Sequence, residues 1–187
     1  MRKKFVCCLL YVFVFIVGCS SEVGSAAYDD HAFQIDGMYI SLDEDIWDLE
    51  DADVFVVSSD NEDVEVLGLA SVLLQHELKT KGMISPMLQL SHYHFKEWDY
   101  TEYWDDVKNN MSMSEDTEVL EEEYYSVEKY DAWKKFYRRE DTIYYSISIA
   151  KGHYVYNFEY IAPEVLFYDY FDEVKNAAES IHIKSMR

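Results

Sequence analysis

From residue 142 to residue 161 the chain alternates apolar and polar side chains with a period of two, TIYYSISIA and HYVYNFEYI, interrupted by Lys151 and Gly152. Alternation of that length belongs to strands with one buried face, and a glycine-containing pair between two such runs predicts a β-hairpin with a two-residue turn. With Lys151-Gly152 as the turn, Ile149 faces Tyr154, Ile147 faces Tyr156, Tyr145 faces Phe158 and Ile143 faces Tyr160. Cross-strand pairs of aromatic and β-branched residues contribute about 0.2–1 kcal/mol each. The opposite face reads as wetter, with Ser148, Ser146 and Tyr144 against Val155, Asn157 and Glu159. A slip of one residue would exchange the faces, so the apolar one specifies the register.

The segment after the hairpin is built to cover it. Pro163 stands at the first position of an expected helix, where its missing N–H costs nothing. Phe167, Phe171, Val174, Ala178 and Ile181 then recur at spacings of four and three, one stripe that fits the apolar sheet face, and residues 181–183 are expected to close the sheet as a short last strand.

The N-terminus carries an address. Arg2, Lys3 and Lys4 precede an apolar run from residue 5 to residue 17. A membrane-spanning helix needs about 20 apolar residues, so this run has the length of a signal-peptide core. Ile16, Val17, Gly18 and Cys19 resemble the lipobox of bacterial lipoproteins, departing from it in Ile at the first position and Val at the second. The resemblance implies cleavage before Cys19 and acylation of its sulfur. Residues 1–18 are then the leader, 19–30 a small, polar, lipidated tether, and 31–187 a single domain. The other two cysteines, Cys7 and Cys8, leave with the leader, so the exported domain has no disulfide and no cysteine nucleophile. Removing the leader, with three basic and no acidic side chains, takes the formal charge from -21 to -24. Several acyl chains hold such a protein at a membrane surface far more firmly than one.

Composition bounds the function. At 49% hydrophobic and 17% aromatic residues the chain is too rich in core-forming side chains to be a disordered acidic tail. The acidic field excludes nucleic acid, whose phosphates require clustered Lys and Arg, and it favours a basic protein or peptide partner. Six glycines include no phosphate-binding loop or dinucleotide fingerprint, and no GxSxG elbow is present. His76 and Glu77 open an HELKT segment with Thr80 where a zinc-protease helix needs its second His. His92 and His94 share one face of an expected strand at residues 87–95, with Glu97 nearby, and are the only weak candidates for a metal. Asp43, Glu44, Asp45 and Asp48 lack the Gly and terminal Glu of a calcium loop and read as a solvated turn. No cofactor is implied. The tyrosines at period two read as core rather than as a stacking platform.

The remaining segments are shorter. Phe33 to Leu42 reads as a hairpin turning at Asp36-Gly37, followed by Trp47, and residues 54–57 read as a buried strand, with Ser59 or Asp60 as a following helix cap. Val66, Leu67, Ala70, Leu73, Leu74 and Leu78 recur at three and four and predict a helix over 66–78 stopped by Gly82; the run VEVLGL also suits a strand, since Gly68 weakens a helix by about 1 kcal/mol. An amphipathic helix is expected from Thr101, carrying Tyr103, Trp104 and Val107, and strands are expected at 117–125 and 130–137.

A short hairpin with a Trp at the start, FQIDGMYISLDEDIW, and a long hairpin, helix and terminal SIHI at the end, YYSISIAKGHYVYNFEYIAPEVLFYDYFDEVKNAAESIHI, resemble the Mog1/PsbP-like superfamily, which includes many bacterial lipoproteins. The resemblance covers about a third of the chain and contains no catalytic motif. It implies an α+β fold, an antiparallel sheet with helices packed on its faces as an α/β/α sandwich, and a binding or assembly factor rather than an enzyme. The expectation is a lipid-anchored, extracytoplasmic, non-catalytic module for a protein or peptide. The alternatives are an immunity-type lipoprotein neutralising a basic toxin, and a hydrolase or metal-binding protein built from carboxylates or from His92 and His94.

Substituting Cys19→Ala is expected to leave the leader uncut and the chain without acyl mass, still held at the membrane by the apolar run of residues 5–17. Intact mass spectrometry checks both; an unmodified sulfur on the processed wild-type chain would remove the anchor.

Overall fold

The computed structural model describes residues 32–35, 37–55, 63–75, 84–96, 105 and 116–184. The leader, Cys19, the tether, Asp36, the cap at Ser59 or Asp60, the HELKT segment, Gly82, and Tyr103, Trp104 and Val107 lie outside them. Among the described residues the order is β1 (Ala32–Ile35), β2 (Met38–Ser41), β3 (Asp53–Phe55), β4 (Val64–Leu73), β5 (Met87–Phe95), β6 (Thr117–Val127), β7 (Tyr130–Arg139), β8 (Thr142–Lys151), β9 (Tyr154–Pro163), α1 (Glu164–Phe167), α2 (Phe171–Glu179) and β10 (His182–Ile183). The fold is α+β: a seven-stranded antiparallel sheet ordered β3-β4-β5-β9-β8-β7-β6, and a separate three-stranded sheet ordered β1-β2-β10.

Strands β6 to β9 form a meander whose turns recur at regular intervals, with positive φ at Glu128 (55°), Glu140 (52°) and Gly152 (63°). Each is the first residue of a two-residue turn, the position at which a tight hairpin requires positive φ. For the two glutamates the left-handed conformation costs about 1–2 kcal/mol, which the long ladders on either side override.

The last hairpin corrects the expected register. Its turn is Gly152-His153, so Ile149 faces Tyr156, Ile147 faces Phe158, Tyr145 faces Tyr160 and Ile143 faces Ala162. A Lys151-Gly152 turn would force Lys151 into the left-handed region; moving the turn one residue along gives that position to Gly152 and leaves Lys151 extended against Tyr154. Every partner shifts by two residues, so each side chain stays on its expected face.

β4 replaces the helix expected from residue 66. Paired with β5 on one side and partly with β3 on the other, it buries Leu69 on one face and Ala70 and Val72 on the other, and a strand buried on both faces mimics helical spacing over a short run. The expected buried strand at 54–57 is represented by β3, an edge strand with Val54 exposed. Residues 182–183 close the small sheet on β2, not the large one.

One face of the large sheet holds the main core. Leu90, Phe158 and Ile147 form one cross-strand row and Leu88, Tyr160 and Tyr145 the next, all buried. The expected stripe covers them: Phe136 meets Tyr145, Phe167 and Phe171 edge-on at centroid distances of 5.4, 5.2 and 5.2 Å, and Val174 and Ala178 are buried in the same cluster. The stripe is broken between α1 and α2. Pro163 caps α1 rather than opening it, and Tyr160 Oη donates to the Phe167 carbonyl (3.3 Å), the acceptor a continuous helix would give to the Phe171 N–H. The small sheet contributes Phe33, Ile35, Met38 and Ile40 to the core.

Gly68 lies beside the register shift in β4, where a Cβ would sit 2.8 Å from Ile35 Cδ1 and 2.9 Å from Ile35 Cγ1. Overpacking a buried contact costs about 1–3 kcal/mol. Gly68→Ala is expected to lower the unfolding free energy within that range, and Ile35→Val in the same chain to restore part of it, read as a double-mutant cycle in denaturant.

Candidate functional site

The histidines singled out by spacing sit where their parity places them, on the core-side face of β5, but in aromatic company. His92 is buried and stacks on Tyr156 (4.1 Å, 9°), and His94 stacks on Tyr154 (4.8 Å, 20°) with Nδ1 3.6 Å from Glu65 Oε2. These rings fill a sheet-side layer. Among the described residues no three His, Cys, Asp or Glu side chains converge as a metal site would need.

The acidic loop is a hydrogen-bonded turn. Asp43 Oδ1 accepts from the Asp45 N–H (2.9 Å), the Asp43 carbonyl accepts from the Trp47 N–H (2.8 Å), and Gln75 Nε2 donates to the carbonyls of Glu44 (2.8 Å) and Trp47 (3.2 Å). Asp and Asn side chains commonly hold turns this way. The tyrosines of the apolar face lie in the core as expected; burial, followed by the charge of Glu121, pushes the Tyr145 hydroxyl up to about 12.

The other face of the large sheet, expected to be wetter, is polar yet mostly covered: Ser91, Ser148, Lys135 and Trp133 are buried there. Tyr137 Oη donates to Glu159 Oε1 (2.8 Å) across β8, and Tyr137 stacks on Tyr144 (4.7 Å, 4°). Lys135 Nζ lies 4.5 Å from the Trp133 ring centroid. Burial holds the Glu159 carboxyl above the usual carboxylate range, opposed by the Tyr137 hydrogen bond and the Arg139 charge, and burial with the adjacent Glu159 raises the Tyr137 hydroxyl further. This layer specifies how β7, β8 and β9 pack. Sequence reasoning missed it, although a Glu between Phe158 and Tyr160 in an apolar strand was its signal.

The accessible feature lies at one end of the sheet. On β6, Glu118, Glu121, Glu122, Glu123, Leu120 and Tyr124 are all exposed. The register sets the EEE run against the Lys-Lys pair of β7: Glu122 opposite Lys135 and Glu123 opposite Lys134. Lys134 is shared between Glu121 (3.8 Å) and Glu123, and Arg138 Nε donates to Glu118 (3.1 Å) while its Nη1 donates to Glu164 (3.1 Å). These charge blocks are visible in the sequence; that they meet at a sheet edge is not.

No family model matches the sequence, and no curated protein matches it. Solved structures are similar. A protein of unknown function from Pseudomonas aeruginosa, described as a putative regulator, aligns with a TM-score of 0.51 at 9% identity, over 83% of this chain and 97% of that one. Cyanobacterial PsbP from Synechocystis aligns with a TM-score of 0.49 at 12% identity, over 89% and 98%. LpqN, involved in cell envelope biogenesis of Mycobacterium tuberculosis, aligns with a TM-score of 0.48 at 9% identity, over 72% and 84%. At such identities the likeness is one of fold.

Burial of Glu159 makes the stability of the fold depend on pH. With its folded value raised, the native state binds the proton more tightly than the unfolded chain; stability therefore falls as pH rises from the ordinary glutamate range through the raised value, and the cost is full above it. Glu159→Gln cannot titrate. The stability of the variant relative to wild type should grow through that interval and level off above it, measured by denaturant unfolding at a series of pH values. A difference independent of pH would contradict the assignment.

Proposed function

We propose that the folded domain is a non-catalytic binding module, held outside the cytoplasm by lipid on Cys19, and that its partner is a basic protein or peptide. The observation that carries this reading is the exposed carboxylate row of β6: Glu118, Glu121, Glu122 and Glu123 are all exposed, and Glu118, Glu121 and Glu123 make their ion pairs with Lys134 and Arg138 at the surface. Exposed ion pairs of this kind contribute about 0–1 kcal/mol each, and the surplus of negative potential comes from the whole chain, at a formal charge of -21. Such a field raises the encounter rate of a basic partner and repels anionic ones.

The polar sheet face supports the same reading by elimination of a rival surface. Its Glu159 and Tyr137 bond to each other, and Ser91, Ser148 and Lys135 are buried, so a partner would have to strip an assembled layer to reach them. The basic leader and the Ile16-Val17-Gly18-Cys19 box support attachment, which would raise the local concentration of the module wherever its partner meets the membrane.

With the full chain as bait in membrane extracts, a partner is expected to be retained at low salt and released at high salt, because screening shortens the reach of exposed charges. Equal retention at both removes the electrostatic basis of the proposal.

A further inference from the structure

We infer that the outer edge of β6 receives an extended partner segment of alternating basic and apolar residues, which joins the large sheet as an additional strand. The inference rests on the binding-module reading and assigns its surface.

β6 ends the sheet. It has 11 residues, against three in β3 at the opposite end, and among the described residues β7 is its only neighbour. In an antiparallel ladder the backbone groups of alternate residues point to alternate sides, so a terminal strand presents a row of N–H and C=O groups outward. A strand of this length is the sheet's one extended template for main-chain pairing among the described residues.

The side chains choose the occupant. Register with β7 puts Glu118, Glu121 and Glu123 on the face of Arg138, Phe136 and Lys134, and puts Val119, Glu122 and Tyr124 on the face of Tyr137, Lys135 and Trp133. A second copy of this chain is a poor fit, since antiparallel β6 strands meeting at their EEE runs would set glutamate against glutamate. A basic segment turns that repulsion into opposite-charge cross-strand pairs. On the other face Glu122 is flanked by exposed apolar groups, Val119 (39%) and Tyr124 (56%), and Leu120, in the register shift, is 43% exposed. Tyr124 is already held flat against Trp133 (5.7 Å, 3°), so it offers a fixed ring to apolar side chains of an incoming strand. Glutamates on one face, and Val119 and Tyr124 about Glu122 on the other, call for basic residues on the first face alternating with mainly apolar ones on the second. Main-chain pairing would supply affinity and the two faces selectivity.

The test is titration of the full chain, at low salt, with a synthetic lysine–valine alternating peptide of about nine residues, long enough to run along the strand. Saturable binding is expected, with slowed hydrogen exchange in β6. N-methylation of alternate peptide residues, which keeps the charge and removes main-chain donors, should weaken binding by about tenfold or more. The exposed pair Glu121→Gln and Glu123→Gln should also weaken it, with the folded state checked by circular dichroism, and a glutamate–valine peptide should not bind. Equal affinity for the N-methylated peptide, protection outside β6, or no binding of the lysine–valine peptide would each overturn the inference. If protection lies elsewhere while the pull-down remains salt-sensitive, only the edge assignment fails and the binding module stands.

Discussion

The pairing of β8 with β9 is the interaction on which the rest depends. It sets Ile147 against Phe158 and Tyr145 against Tyr160, and β5 extends both rows with Leu90 and Leu88. These side chains make one continuous apolar face. α1, α2 and the small sheet have little reason to fold without it, because short helices and two-residue strands gain most of their stability from tertiary packing. The break between the helices shows the same dependence: Tyr160, a residue of β9, takes the carbonyl at which a single helix would have continued.

The two faces of that sheet divide the labour. The core-side face is apolar and aromatic and supplies the burial. The opposite face carries Glu159, Tyr137, Lys135 and two buried serines, groups that are costly to bury unless they satisfy one another and that therefore specify how β7, β8 and β9 align. With both faces largely occupied, exposed charged and aromatic groups gather at the periphery, where β6 carries carboxylates and a stacked tyrosine. Charge repulsion there also discourages edge-to-edge association of the protein with itself.

How much could be read beforehand depends on which physical quantity each feature obeys. Faces obey period-two alternation, so the inward row of the last hairpin and the shared face of His92 and His94 were legible. Turn placement depends on which residue tolerates positive φ, and the choice between Lys151 and Gly152 shifted every partner by two without changing a face. Val66, Leu67, Ala70, Leu73 and Leu74 misled because a strand with apolar residues on both faces loses its alternation. The rings beside His92 and His94 belong to β9, distant in sequence, so spacing within β5 had no way to show that tyrosines would stack there. The charge blocks of β6 and β7 were legible as blocks, whereas their position at the end of the sheet required strand order.

Local chemistry in the chain by itself therefore determined the faces of the main hairpin, the covering stripe and the acidic character, since each is a property of neighbouring residues, while the α+β class came from a resemblance of pattern. Tertiary structure decided strand order, the separation of a second sheet, the burial of Glu159 and the exposure of β6. Those depend on contacts between segments far apart in sequence, which no local period encodes.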